Sequence, residues 1–241
     1  MNVKNLIIHS DTEEGHVKAS QCLEFLTQNN CDLSSIKSID LTMDIPVMQD
    51  LSGNKFKIDF INDKKNYQKI KQSMKKELIA RAMGSGRYGD KVLDLSAGLG
   101  IDSVFLAQLG FSVTALERNP LIYYALSEAQ KQCSDLDVKF VFSEALEFLQ
   151  NTQEEFPVIY FDPMFPDKTK SALPRQEMVF FRQMVGADED AAKVLETSIQ
   201  RQGARRIVVK RPIKAPWLGD RKPQSSIAGK LIRFDIYGGL I

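Results

Sequence analysis

The residues with the most chemical promise stand at the ends of apolar runs. Val158-Ile159-Tyr160-Phe161 has the wholly apolar, β-favouring character of a strand buried on both faces, and it stops at Asp162, with Pro163, Phe165 and Pro166 close behind. A carboxylate, a rigid turn and an aromatic ring therefore sit at the mouth of a buried strand. A second run, KVLDLS, passes through Asp94 into Ser96-Ala97-Gly98-Leu99-Gly100-Ile101-Asp102, immediately before a helical pattern. Glycines at such a turn let the backbone approach a ligand closely, and a helix N-terminus presents free N–H groups to it. The following strand ends in Glu117-Arg118-Asn119-Pro120. An acid at that point is placed to accept hydrogen bonds from two ribose hydroxyls, which suggests an adenosine-containing ligand; a solvated glutamate opening a helix is the plainer alternative. The spacing A-G-L-G is not the dinucleotide fingerprint G-x-G-x-x-G, and no phosphate-binding P-loop is present.

These corners need a frame that brings strand ends together. From Lys91 the pattern alternates strand and helix: KVLDLS, SVFLAQLG closed by Gly110, SVTALE, PLIYYALSEAQKQC, VKFVF, ALEFLQNT, VIYF, one or two helices within 175–201, RRIVVKR, and a closing antiparallel hairpin from QSSI and LIRFDIY. Alternation of this kind predicts an α/β fold with a mostly parallel sheet and helices on both faces. Ahead of it, strands at 3–9 and 38–43 and a helix over 12–29, with Val17, Cys22, Leu23, Phe25 and Leu26 as its apolar positions, form a small α/β unit. Residues 51–61 alternate around Gly53-Asn54 as a hairpin arm with Phe56, Ile58 and Phe60 on one face, and a basic stretch becomes helical from about Gln72 and stops at Gly84. The expected division is 1–62 for the small unit and 63–241 for the large one.

Asp94-x-x-Ala97-Gly98-x-Gly100 resembles the first motif of class I S-adenosylmethionine methyltransferases, whose ligand carries an amino acid where a dinucleotide carries pyrophosphate. An acid near that turn attracts the ligand's ammonium and repels phosphate. Asp162-Pro163-Met164-Phe165 resembles the D/N-P-P-Y/F motif of enzymes that methylate amino groups conjugated to planar rings, with Met164 in place of the second proline. The lone pair of such an amine is delocalised and weakly nucleophilic. The Asp162 carboxylate and the Pro163 carbonyl can accept its two N–H bonds, hold it in line with a methyl group and stabilise the charge that develops on attack. Phe165 can stack on the base. Asp162 needs no raised pKa for this role, because methylation can precede loss of the amine proton.

Further motifs, AGLGID, LERNP, YFDPMFPDKTKSALPRQEM, RIVVKRP followed by AP, and RFDIYGG, are similar to those of the ribosomal RNA small subunit methyltransferase J family over roughly residues 56–238. The resemblance implies a Rossmann-like seven-stranded sheet. It implies S-adenosylmethionine bound at Asp94, Gly98, Gly100, Ile101, Asp102, Glu117, Arg118, Glu144, Ala145 and Asp162. It also implies transfer of a methyl to the 2-amino group of a guanine in 16S rRNA, with naked rRNA or the assembled small subunit as partner. Glu144-Ala145 stands where a pair of serines is expected. D-P-P-Y-type turns also serve adenine 6-amino and glutamine amide methylation, and a noncatalytic RNA-binding or assembly role is the rival outside enzymology.

The bulk numbers agree with a globular enzyme. With 241 residues, 43% hydrophobic and 26% charged, the chain can bury a sizeable core. A formal charge of +1 leaves RNA to be met by local cations, for which Lys168, Lys170 and Arg175 after the turn and Lys210 and Arg211 at a strand end are the candidates. Trp217 is as suited to packing under a loop as to stacking on RNA. Cys22, Cys31 and Cys133 lack metal-ligand or redox spacing, and His9 and His16 lie far from the motifs, so no metal is expected. No apolar run has membrane-spanning length or the form of a signal peptide, which points to the cytoplasm.

Overall fold

The computed structural model describes residues 7–61, 77–84, 86–164 and 188–238. The N-terminal unit consists of β1 (Ile7–His9), α1 (Glu13–Gln28), β2 (Ile36–Asp40), β3 (Val47–Asp50) and β4 (Lys55–Phe56). Its sheet runs β1-β2-β3-β4, parallel between β1 and β2 and antiparallel thereafter. Thr12 caps α1 by accepting from the Gly15 N–H at 3.0 Å. The inward stripe of α1 is Cys22 and Leu26, with Phe25 against Tyr123 and Phe142. Val17 and Leu23, also apolar positions of this helix, lie about 100° or more around it from Cys22 at 100° per residue, and both are exposed. The hairpin does form around Gly53-Asn54, but its first arm is β3, which sequence reading did not identify as a strand. The polar end of β3 hid it: Asp50 turns back to accept from the Asn54 N–H and Nδ2, each at 2.8 Å.

The remaining elements are α2 (Leu78–Met83), β5 (Lys91–Asp94), α3 (Ile101–Gln108), β6 (Ser112–Glu117), α4 (Pro120–Lys131), β7 (Val138–Phe142), α5 (Ala145–Asn151), β8 (Val158–Phe161), α6 (Ala191–Gln200), β9 (Arg206–Pro212), β10 (Ser225–Ala228) and β11 (Ile232–Tyr237). The strand order is β10-β11-β9-β8-β5-β6-β7. From β9 through β8, β5 and β6 to β7 all pairings are parallel, while β11 runs antiparallel to both β9 and β10. This is the expected doubly wound sheet with its closing hairpin. Order reverses beside β5: its chain continues to β6 on one side and later returns to β8 on the other, opening a crevice at the carboxyl ends of β5 and β8.

Period-two alternation explains why these strands read as continuous apolar runs. Val92, Val113, Val158, Tyr160 and Val208 enter one apolar cluster, with Val104 and Leu106 of α3, Leu121 and Ile122 of α4 and Met83 of α2. Leu93, Leu116, Ile159, Phe161, Ile207 and Val209 enter the other, with Leu149 of α5 and Val194, Leu195 and Ile199 of α6. The N-terminal unit packs on the first face. Phe56, Ile58 and Phe60 are all buried in that cluster, and Phe60 stacks on Phe140 of β7 with centroids 5.6 Å apart. The boundary expected near residue 62 adjoins residues outside the description, and the apolar cluster is continuous on its two sides.

Candidate active site

Four strand ends build the cleft. Asp94 closes β5 and is buried; it accepts from Ser103 Oγ at 2.6 Å and from the Ser96 N–H at 3.0 Å. These bonds fix the turn Ser96–Gly100 against the start of α3. Gly98 lines the cleft with a left-handed φ of 56°. Gly100, the N-cap of α3, has φ 75° and is turned toward the core, where a Cβ would meet Phe60 Cζ at 2.8 Å and Leu126 Cδ2 at 2.9 Å. Its missing side chain makes room for an apolar neighbour. Ile101 and Asp102, in the first turn of α3, line the cleft.

Glu117 closes β6 and is buried. It accepts from the Gly98 N–H at 3.0 Å and the Asn119 N–H at 2.7 Å, so this acid is clamped to the glycine turn. Burial pushes both acids up, Glu117 to about 7 against the pull of the Asn119 and Gly98 N–H groups, and Asp94 to about 7 against Ser103 and Ser96. Glu144 and Ala145 lie at the start of α5 along the cleft wall, beside Ser143.

Asp162 and Met164 complete the opposite wall. The Asp162 N–H donates to Ser96 Oγ at 2.8 Å, which ties the acidic corner to the glycine turn within one cleft. Its carboxylate is not alone: Lys210 Nζ lies 2.8 Å from Asp162 Oδ2 and 2.8 Å from Asp102 Oδ2, and the Tyr160 hydroxyl donates to Asp102 Oδ2 at 2.5 Å. Burial raises the Asp162 pKa, with Lys210 opposing. Methylation still does not require that shift. Met164 occupies the place of a second proline and does something proline cannot: its N–H donates to Asp188 Oδ2 at 2.6 Å, while the Asp188 N–H donates to the Met164 carbonyl at 3.1 Å. Hydrogen bonds thus supply the rigidity a ring would have given. Asp188 also holds Arg118 at 2.7 Å, linking the corner after β6 to the corner after β8.

Several expected site residues take other work. Lys210 was expected to meet RNA phosphate, but it is engaged by two carboxylates inside the cleft. Arg211 was expected on the same rim, yet it is 3% exposed and donates from Nη2 to the Pro216 carbonyl at 2.5 Å. Strand alternation sends 210 and 211 to opposite faces. Beside Arg211, Arg233 donates to the carbonyls of Pro212 at 3.1 Å and Ile213 at 2.8 Å while paired with buried Asp235, so the two arginines clamp the loop that carries Trp217. Trp217 itself is 43% exposed. Arg118 lines the cleft paired with Asp188. Phe165, Lys168, Lys170 and Arg175 lie outside the described residues. Sequence reading missed Ser96, Ser103, Tyr160 and Asp188. Ser96 stood within the quoted turn, Tyr160 looked like strand filling, and Asp188 follows a long segment with no motif to mark it.

The donor set defines what fits. Six carboxylates, Asp102, Glu117, Glu144, Asp162, Asp188 and Asp190, line the cleft against two cations, Arg118 and Lys210, both already paired. Such a surface attracts cationic groups and repels a pyrophosphate, while Glu117 retains lone pairs for hydroxyl donors. A ribose-bearing ligand with positive charges suits it.

Comparison with known proteins gives the same direction. Residues 20–239 match a family model described as "Putative SAM-dependent methyltransferase". The chain is 44% identical over 197 residues to ribosomal RNA small subunit methyltransferase J of Bdellovibrio bacteriovorus, an alignment covering 79% of this chain and 77% of that one. It is 40% identical over 192 residues to the protein of the same name from Thioalkalivibrio sulfidiphilus, covering 75% and 74%. Among solved structures it is similar to a SAM-dependent methyltransferase from Neisseria gonorrhoeae, with a TM-score of 0.71, 26% identity, and coverage of 97% of this chain and 95% of that one.

Proposed function

Because the chain belongs to the ribosomal RNA small subunit methyltransferase J family, we propose that its cleft directs a methyl group to the exocyclic 2-amino group of a guanine in 16S rRNA. It is an S-adenosylmethionine-dependent methyltransferase of small-subunit rRNA. When bound, the cofactor supplies a methyl on a positively charged sulfur. Glu117 would hold its ribose hydroxyls, the turn at Gly98 and Ile101 its amino-acid portion, and the wall at Glu144-Ala145 its adenine.

The observation that supports this reading is the hydrogen bond from the Asp162 N–H to Ser96 Oγ, which joins the Asp162 corner, proposed to grip the amine, to the glycine turn, proposed to hold the methyl donor. One oxygen of Asp162 and the carbonyl of Pro163 accept the two N–H bonds of the base. Held by these two acceptors, the amine would have its lone pair aimed at the methyl group that the bound cofactor would supply. The Asp162 carboxylate faces the cation formed on nitrogen and lowers its energy until the surplus proton leaves. Phe165 would stack on the guanine, and Lys168, Lys170 and Arg175 would meet neighbouring phosphates.

Product identity tests the substrate. Incubated with tritiated cofactor and hypomethylated small subunits, the enzyme is expected to give 2-methylguanosine on nucleoside digestion. 6-Methyladenosine in its place rejects the guanine assignment.

Cofactor affinity should depend on pH. Glu117 and Asp94 hold protons up to about 7, whereas a cationic, hydroxyl-bearing ligand favours their ionised forms. Calorimetric Kd is expected to tighten between about pH 5.5 and 8, with proton release near pH 6.5 shown by the buffer dependence of the enthalpy. The sign for the free protein is opposite. These acids bind protons more tightly folded than unfolded, so their contribution to stability is present at low pH and lost as pH rises through about 7. Thermal melts should show saturating cofactor raising Tm more at pH 8 than at pH 5.5; a pH-independent increment contradicts the assignment of these acids.

A further inference from the structure

We propose that Lys210 is a positioning residue for the transfer step: by engaging one oxygen of Asp162 it fixes that carboxylate's rotation and leaves the other oxygen for one N–H of the acceptor amine. The inference rests on the methyl-transfer reading above and concerns how the amine is aimed. Asp162 is the half of the grip that needs help. The Pro163 carbonyl belongs to the backbone, and the Asp162 N–H is anchored on Ser96, but an aspartate carboxylate turns in a broad torsional well unless something holds it.

Lys210 does the holding from the neighbouring strand. Phe161 pairs with Val209, so the next residues, Asp162 just past β8 and Lys210 still within β9, lie side by side. The ammonium sits 2.8 Å from Asp162 Oδ2 and 2.8 Å from Asp102 Oδ2. Asp102 is in turn held by the Tyr160 hydroxyl. Burial and the adjacent Asp102 push the tyrosine's pKa far up, so its proton stays and the hydroxyl remains a donor. Tyr160 is two residues before Asp162, so strand alternation brings both side chains to the same side of the sheet. Tyr160 of β8 and Lys210 of β9 therefore meet at Asp102 Oδ2 of α3, and Lys210 bridges from there to Asp162 Oδ2. A lysine committed in this way, with its side chain 25% exposed, is poorly placed to gather phosphates from solvent.

The same geometry sets a charge balance. Asp162 is faced by Lys210 from β9, Asp102 from α3, Asp94 from β5, Tyr160 from β8 and Asp188 from the segment before α6. Lys210 is the cation among these groups. Without it, Asp162 would stand among like charges and take up a proton at higher pH.

The test uses the full-length enzyme and the Lys210→Met and Lys210→Arg variants, with single-turnover methyl transfer to hypomethylated small subunits at saturating cofactor, calorimetric cofactor affinity and a pH–rate profile. Lys210→Met is expected to slow transfer about 10- to 100-fold, the scale on which small misplacements cost rate, with cofactor Kd changed less than about threefold. Its acid limb should move up by about one pH unit, and Lys210→Arg should recover part of the rate, because it restores a cation with different reach. An unchanged saturated rate with weakened cofactor binding overturns the inference in favour of a lysine that holds the cofactor's carboxylate. A slower rate with an unmoved acid limb overturns it in favour of a purely structural lysine. Should Lys210→Met fail to fold, Asp102→Asn, which removes the rear anchor, is expected to slow transfer by a smaller factor, and no change in rate refutes the proposal. Wild-type enzyme that methylates no subunit refutes the methyl-transfer reading itself, a result separable from all of these.

Discussion

Asp162→Ala is expected to lower the single-turnover rate by about 10²- to 10³-fold, or roughly 2.7–4 kcal/mol of transition-state stabilisation, while cofactor Kd changes less than about tenfold. The asymmetry follows from where charge appears. The ligand's charge and hydroxyls are met by several carboxylates, and losing one of six leaves most of that attraction. The acceptor amine is different: it becomes cationic only during transfer, and in the proposed mechanism Asp162 is the carboxylate that faces it. Asparagine should rescue little. If the Asn oxygen turns to Lys210, its NH2 group faces the amine, donor against donor; if it turns to the amine, the NH2 faces the ammonium. Asp162→Ala within threefold of wild type would remove this corner from the mechanism.

Gly100→Ala should cost about 2–5 kcal/mol of folding stability in urea denaturation: roughly 1–2 from an L-residue at φ 75° and roughly 1–3 from overpacking. The added methyl would lie 2.8 Å from Phe60 Cζ and 2.9 Å from Leu126 Cδ2. Values of that size are a large part of a domain's total of about 5–15 kcal/mol. Phe60 comes from the N-terminal unit, so Phe60→Leu should relieve part of the damage and the double variant should be less destabilised than the two losses summed. Strict additivity would mean that the glycine turn does not lean on Phe60.

Much of the large sheet was legible because its strands obey a rule that is local in sequence. Val138–Phe142, Val158–Phe161 and Ser112–Glu117 form as read: Val158–Phe161 is apolar throughout because both its faces are buried, while the other two, up to the terminal Glu117, carry polar side chains only at positions that are not fully buried. The positions of Asp94, Glu117 and Asp162 were legible because each carboxylate stands at the carboxyl end of such a run. Less was visible where the signal depended on partners. The strand Val47–Asp50 escaped notice because its final carboxylate serves its own turn, and which of the apolar positions of α1 face inward was not legible because a helical stripe cannot be centred without knowing what covers it.

The sequence by itself determined the fold class, the crevice and the acids at its mouth, because buried-strand composition and glycine turns are written residue by residue. Only the tertiary structure decided what the cations do. Lys210 and Arg211 are adjacent basic residues that look alike as letters, yet alternation sends one to two carboxylates in the cleft and the other beneath a loop. Likewise, only packing revealed that Gly100 is small for the sake of Phe60. Charge pairing and steric room belong to neighbours distant in the chain, and those are set by the fold.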